Sequence, residues 1–429
     1  MRRVKAALGL GSSICGGALF LGAMIAGCSS SPSTAQTSDA SADAGTTGMT
    51  DDAGTTGPDA DAGTTGPDAD AGTTGPDADA GTTGPDADAG TVCGDAPGTT
   101  LDYTAKGFDF LLDGDWGNQQ DLTDMQKVAA AMNTWAAAQG TNFVISLGSN
   151  FYQGGTFAYE GVQSATDAKF TTLWKDVYAG TTLSQVPWWL VLGNHDWYAT
   201  GSPKFEMQHQ DPNWNLPDYF YTKRVALPGC KHATFVFVET NLLFYGYAGK
   251  QNMATNFASA SWSLSAKTHL KQLAWIDWTL QQANQDEFVI VIGDHPTFTC
   301  GSDVTGSAYM GQLGAILTKW QPTAYVNAHH STLAYYAISS QMLQVQVGSG
   351  GNVDAACAPV DPSKAGQQVA NTYGFAHAKL SGTSFALDFV TEANSVAMQT
   401  SVGARTPVVG VTADTAYLPP PGDPSIHAQ

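Results

Sequence analysis

Five short segments of this 429-residue chain set Asp, Asn or His beside glycine or alanine directly after an apolar run. They read Gly114-Asp115-Trp116-Gly117, Gly148-Ser149-Asn150, Gly193-Asn194-His195-Asp196, Gly293-Asp294-His295-Pro296 and Ala328-His329-His330-Ser331. Carboxylate and amide oxygens together with imidazole nitrogens are the donor set of hard and borderline metal ions. Gathered at one point, they would hold a cation that acidifies a bound water and opposes nearby negative charge. Each residue also has a plainer reading. Asp115 suits a turn, where Asp bonds its own backbone; Tyr152 suits a packed core; Asn194 and His195 suit a turn between elements. Asp113 lies two residues before Asp115 on an extended run and shares its side of the strand. It is either a compensating carboxylate or an ordinary strand-end one. His209, His232, His269, His377 and His427 have no comparable neighbours and read as surface or core histidines.

The elements that must position these residues are legible as alternating strands and helices. Phe108–Asp113, Asn142–Leu147, Trp188–Leu192, Phe235–Val238, Phe288–Ile292 and Ala324–Asn327 are short apolar runs of strand type. Asp121–Ala138, Thr166–Tyr178, Ser265–Asn284 and Met310–Trp320 have helical spacing, and the last hundred residues return to strands at Met342–Val347, Phe375–Leu380 and Phe385–Val390. Such alternation predicts a layered α/β fold. In open sheets of that kind ligand sites form beyond the carboxyl ends of the strands. Residues far apart in sequence would then converge.

Taken in order, these segments resemble the calcineurin-like metallophosphoesterases, in particular the small purple, tartrate-resistant type of acid phosphatase. The resemblance spans about Phe108 to Val390 and rests on FLLDGDWG (Phe110–Gly117), FVISLGSNFYQGG (Phe143–Gly155) and VPWWLVLGNHDWY (Val186–Tyr198). WNLPDYFY (Trp214–Tyr221), VIGDHP (Val291–Pro296) and AYVNAHHSTLAYY (Ala324–Tyr336) support it. It implies a four-layer sandwich of two mixed β-sheets flanked by helices. It also implies one or two ions of iron, zinc or manganese and a phosphorylated small-molecule or other phosphoester substrate. By position, Asp115 and Tyr152 resemble ligands of the first metal, Asn194 and His329 ligands of the second, and His195, with Asp196 beside it, the catalytic pair that aids the leaving group.

Three positions depart from the family pattern. Ser149 stands where the bridging Asp is expected, and Ser331 where the second His of a Gly-His-x-His segment is expected. Asp294 replaces a His and still offers a carboxylate to metal, with His295 one residue later. Asp113, His295 and His330 are the available substitutes. Two function classes follow. One is a phosphomonoester hydrolase with a reduced or rearranged metal site; the other is a catalytically inactive scaffold that binds a ligand or partner. Retention of Gly193-Asn194-His195-Asp196 favours the first, and the missing bridge favours the second, because adjacent cations repel without it.

Composition divides the chain further. Its formal charge is −20, of which residues 29–92 supply −12 and residues 93–429 supply −11, against +3 from the first 28. That acidity argues against a nucleic-acid partner, which needs clustered Lys and Arg. Residues 1–27 read as a secretory signal with a basic start and an uncharged run, ending in Ile25-Ala26-Gly27 before Cys28. The segment resembles a bacterial lipobox, which implies a lipid on Cys28 and a place in the cell envelope at the outer membrane, periplasmic or surface-facing. Residues 28–92 contain near-identical nine-residue GTTGPDADA units beginning at Gly54, Gly63, Gly72 and Gly81 and a truncated one at Gly90, with nothing to bury, and read as a disordered acidic spacer. Residues 93–429 form the metallophosphoesterase-like domain, expected to be monomeric. Cys93, Cys230, Cys300 and Cys357 are an even set in an exported chain, open to three disulfide pairings.

Overall fold

The computed structural model describes residues 101–245, 268–298, 308–356, 366–414 and 416. The expected signal at 1–27, Cys28, the spacer at 28–92, and Cys93, Cys300 and Cys357 lie outside them. Among the described residues no helix is long and apolar enough to cross a membrane.

The strands are β1 (Asp102–Tyr103), β2 (Phe108–Asp113), β3 (Phe143–Ser146), β4 (Trp188–Leu190), β5 (Trp214–Asn215), β6 (Tyr221–Leu227), β7 (Lys231–Phe237) and β8 (Phe288–Ile292). They continue as β9 (Ala324–Asn327), β10 (Leu333–Ala337), β11 (Leu343–Val347), β12 (Gly366–Val369), β13 (Gly374–Leu380), β14 (Ser384–Thr391) and β15 (Val396–Gly403). One sheet runs β15-β14-β13-β2-β3-β4-β5 and the other β1-β6-β7-β8-β9-β11-β10-β12. In the first, β2 to β5 are parallel and β13 to β15 antiparallel; in the second, β7, β8, β9 and β11 are parallel. Both sheets are mixed, as the sequence led us to expect.

Why these runs are strands is plain from their burial. Every residue of β2, β3, β8, β9 and β11 is buried, which is the pattern of parallel strands covered on both faces. The sheets meet through aromatic rings. Phe110 of β2 stacks on Phe143 of β3 at 4.9 Å, and both meet Phe235 of β7 edge-on at 5.5 and 5.6 Å. Those separations and tilts suit ring quadrupoles and fill the space between layers.

Helices flank the pair of sheets. α1 (Leu122–Gln139) connects β2 to β3, buries Met125, Val128, Ala129 and Met132, and packs on β2 and β13. The short α2 (Asn194–Tyr198) and α3 (Ser202–Met207) follow β4, and α4 (Thr240–Tyr245) follows β7. α5 (Thr268–Gln282) and α6 (Ala308–Trp320) precede β8 and β9 and pack on each other. The expected helix at Thr166–Tyr178 takes a different form. Phe170–Lys175 is one wide π-helical turn, closed by the Asp176 N–H on Thr171 O at 2.8 Å, and it buries Phe170, Leu173 and Trp174 together.

Candidate metal centre and active site

The carboxyl ends of β2, β3, β4, β8 and β9 all deliver their polar segments to one cleft between the sheets. Glycines permit the approach. Gly193 has no room for a Cβ, which would collide with the backbone N and Oγ of Ser149. A Cβ on Gly148 would lie 2.8 Å from Gly193 N and 3.0 Å from Asp294 Oδ1. The loops are also tied by backbone bonds, Asp115 N–H to Gly148 O at 3.1 Å and Ala328 N–H to Asp294 O at 3.0 Å. Three site residues sit in the left-handed region, Asp115 at φ 54°, Ser149 at φ 51° and His329 at φ 69°. Side chains that are not glycine occupy that region at a cost, and such positions concentrate at functional sites.

Asp294, His295 and His329 bring one ligand atom each within 4.8 Å of one another. Asp294 Oδ2 lies 3.2 Å from His295 Nδ1 and 3.7 Å from His329 Nδ1. Both Asp294 oxygens and His295 Nε2 are buried without a hydrogen-bond partner. Leaving such groups unpaired costs about 1–3 kcal/mol each, so this geometry is explained by a cation that pairs them all. His295 Nδ1 also lies 3.0 Å from Thr240 Oγ1. Thr240 Oγ1 also accepts the backbone N–H groups of Asp294 at 3.2 Å and His295 at 3.0 Å, so one hydroxyl fixes both the ring and the backbone of this loop.

Electrostatics agree with this arrangement. Burial pushes Asp294 well above the usual carboxylate range, and the charges of Asp115, Asp196 and Glu239 push it further. A bound cation would reverse that penalty. Burial, then His330 and His195, lowers His329 to about 3. Burial and the two neighbouring histidines also hold His295 well below its ordinary value. Both rings are therefore neutral, the form that binds metal.

Around Asp115 the donors are different. Its Oδ1 is buried and unpartnered, and Oδ2 lies 3.5 Å from Ser331 Oγ. Burial raises it to about 8, against hydrogen bonds from Tyr152, Ser149 and Ser331, with Asp354 adding to the rise. Tyr152 is held well above 10, first by burial and next by Asp115. Ser149 Oγ donates to Asn194 Oδ1 at 3.2 Å, and Asn194 Nδ2 donates to the Tyr198 hydroxyl at 2.8 Å. The groups beside Asp115 are thus neutral hydroxyls, and no carboxylate stands at Ser149 to be shared between two ions.

The remaining expected residues fall as follows. His195 Nδ1 lies 3.0 Å from Glu160 Oε2, and its ring stacks on Tyr152 at 3.8 Å. The carboxylate of Asp196, expected beside it in catalysis, accepts the N–H groups of Asn150 and Phe151 at 3.0 Å and of Gly193 at 2.8 Å. Buried backbone donors need acceptors, and Asp196 supplies them for two loops at once. Asp113 accepts from the Tyr178 hydroxyl at 2.8 Å and joins no ligand cluster among the described residues. Of the two spare histidines, His295 enters the cluster, whereas His330 lies beside it, its ring 5.5 Å from that of His329 and its Nε2 unpartnered.

Four participants escaped sequence reasoning: Glu160, Lys169, Thr240 and Asp354. Burial pushes Glu160 up, but His195, the Gln153 N–H and Lys169 together hold it below the usual glutamate value. Asp354 Oδ2 accepts the Ser331 N–H at 2.9 Å. Thr240 follows the strand at Phe235–Val238 with no glycine to mark it, and the other three lie away from the strand-end motifs. Lys169 left one signal, as the sole lysine between Lys127 and Lys175 in an acidic chain.

Residues 91–331 match the family described as calcineurin-like phosphoesterase. The chain belongs to that family. Tartrate-resistant acid phosphatase type 5 of Homo sapiens is 25% identical over 319 residues, covering 69% of this chain and 91% of that one. The Oryctolagus cuniculus protein of the same name is 27% identical over 251 residues, covering 57% and 73%. Purple acid phosphatase 4 of Arabidopsis thaliana is 25% identical over 247 residues, covering 57% and 68%. Among solved structures, the anchor in the inner membrane complex of Plasmodium superposes with a TM-score of 0.58 at 22% identity, over 70% of this chain and 90% of that one. That likeness establishes the shared fold. The acid phosphatases support a phosphoesterase hydrolase, and the family's centres are dinuclear.

Proposed function

We propose that this chain is an exported, lipid-anchored phosphoesterase that hydrolyses phosphomonoesters at a site holding one metal ion through Asp294, His295 and His329. The observation that carries this reading is the convergence of Asp294, His295 and His329, in which both Asp294 oxygens and His295 Nε2 are buried without a hydrogen-bond partner. An ion bound there supplies charge to oppose a phosphoryl group and acidity to a water molecule. Iron, zinc and manganese all suit two imidazoles with a carboxylate. Asp115, Ser149 and Ser331 form a hydroxyl-rich neighbour that favours one ion over a bridged pair.

The chain's own residues account for the rest. His195, oriented by Glu160 and by the ring of Tyr152, faces the cleft as the group that passes a proton to the departing oxygen. A positioned acid of this kind contributes roughly 10²–10⁴-fold. Asn194, held by Ser149 and Tyr198, keeps an amide at the cleft wall. The substrate is a phosphorylated small molecule, the protein acts as a monomer, and the acidic composition disfavours nucleic acid. For the cell-envelope location the support is Cys28 behind its lipobox-like run and the disulfide-bonded state of Cys230, which suits an oxidising compartment.

The test is elemental analysis of the purified protein with an aryl phosphate assay in added iron, zinc or manganese. One ion per chain and turnover abolished by His329→Ala are expected. Absence of metal, with no turnover above a His195→Ala control, would sink the reading. It would leave a non-catalytic scaffold, which the serine at position 149 favours. Lipid anchoring has its own measurement. Cys28→Ala should move the protein from the membrane fraction to the soluble one, and a variant that stays membrane-bound would refute the anchor.

A further inference from the structure

Residues 150–161 follow β3 and present Tyr152 and Glu160 to His195, yet they contain no helix and no ladder strand. Backbone bonds satisfy part of this segment, Tyr152 N–H on Gly117 O, Gly154 with Phe157 and Gly161 N–H on Phe151 O, and other backbone groups are left for side chains to satisfy. Two buried charged groups of opposite sign divide that task. The Asp196 carboxylate takes the N–H groups of Asn150 and Phe151. The Lys169 ammonium donates to three carbonyls, Tyr152 O at 2.9 Å, Tyr159 O at 2.6 Å and Gly161 O at 2.7 Å. Lys169 is fully buried, and three donors on three acceptors saturate it. The Tyr159 ring lies 4.4 Å from the same nitrogen, an added attraction for a desolvated cation.

The choice of carbonyls matters more than their number. Tyr159 and Gly161 flank Glu160, so the residues on both sides of that carboxylate are bound to one nitrogen. The third carbonyl belongs to Tyr152, whose ring covers His195. Two of the groups that touch His195, Glu160 and Tyr152, are thus fixed to a single lysine, while Tyr198 meets the ring edge-on at 5.3 Å. Asp167 steadies the lysine in turn, accepting the Lys169 N–H at 2.9 Å and the Tyr159 hydroxyl at 2.9 Å.

We propose that Lys169 is a positioning residue for His195, acting through the backbone of Tyr152 and Glu160. Its consequence for turnover rests on the hydrolase reading above; its consequence for the geometry of His195 does not. A general staple would weaken the fold without selectively releasing one imidazole. The experiment uses the whole chain with Lys169→Met, Glu160→Ala and the double variant, and reads two quantities. The first is the rate at which diethyl pyrocarbonate modifies His195, followed by peptide mass mapping. The second is the split between kcat and KM on an aryl phosphate.

Each single variant should speed modification of His195 severalfold, and the double should be no faster than Lys169→Met alone, because Glu160 is one of the two arms that the lysine holds. Metal content should stay at the wild-type level, since Asp294, His295 and His329 lie on other loops. A fall in kcat of about tenfold or more, with KM little changed, is the expected kinetic counterpart. Should Lys169→Met fail to fold, Lys169→Arg keeps a buried cation but spreads its donors over a plane, and should release His195 in the same way. Wild-type modification rates in a folded Lys169 variant, or effects that multiply in the double variant, would overturn the proposal. If the wild-type protein shows no turnover, the hydrolase reading fails, and the modification rates still decide this one.

Discussion

At the scale of single residues, two serines set the chemistry. Ser149 and Ser331 place hydroxyls next to Asp115, where the resemblance leads one to expect a shared carboxylate and an imidazole. Replacing both, Ser149→Asp with Ser331→His, should raise bound metal from one ion toward two per chain, as counted by elemental analysis. Ser149 is already left-handed, a conformation that Asp tolerates well, so the change adds a ligand without bending the loop. No gain in metal would mean that the surrounding donors have moved too. Asp113 makes a second prediction. Burial, opposed by the Tyr178 hydroxyl, raises it from 3.8 to about 7. The folded chain keeps that proton up to about pH 7 and the unfolded chain only to 3.8. Between those values the folded state binds more protons, so this group's contribution to stability falls as pH rises. Urea unfolding at pH 5 and pH 8 should therefore show a smaller loss in Asp113→Asn than in wild type. Equal losses would place the proton elsewhere.

At the scale of elements, legibility divides along a physical line. Buried parallel strands are continuous apolar runs, so Phe108–Asp113, Phe288–Ile292 and Ala324–Asn327 match β2, β8 and β9 to the residue. Their strand-end motifs sufficed to bring Asp115, Asn194, Asp294, His295 and His329 to one cleft. What sequence did not disclose depends on partners distant in the chain. β6 reads as half-polar because only one of its faces is buried, and the π-helical turn at 170–175 buries Phe170, Leu173 and Trp174 at a spacing that an α-helix would also show. Glu160 and Lys169 sit in a loop whose shape is set by bonds between side chain and backbone, which leave no periodicity to read. Two glycines test element packing separately. Gly193→Ala forces the loops after β3 and β4 apart, and should lower both the melting temperature and the metal content. Gly311→Ala, in α6 with nothing within 4 Å of the added methyl, should stabilise by about 1 kcal/mol in a denaturant titration. Destabilisation by the second substitution would show that α6 packs differently.

At the scale of the whole molecule, the site exists only while two sheets stay in contact, since Asp115, Ser149 and Asn194 follow strands of one and Asp294 and His329 follow strands of the other. Phe235 is the ring from the second sheet that meets both Phe110 and Phe143 of the first. Phe235→Ala should cost about 3–5 kcal/mol and lower metal occupancy together with stability in one cooperative transition. Metal loss at a denaturant concentration well below unfolding would instead mean that the loops hold the cleft by themselves. The left-handed backbone at residues 115, 149 and 329 has a consequence on a longer timescale. Branched and bulky side chains fit that conformation poorly, whereas Asn, Asp, His and Gly enter it readily. Mutation at those three sockets is filtered by main-chain shape before any selection on activity acts. Side chains that survive the filter are rich in oxygen and nitrogen donors, so the scaffold can drift between metal appetites while its architecture keeps offering coordinating atoms.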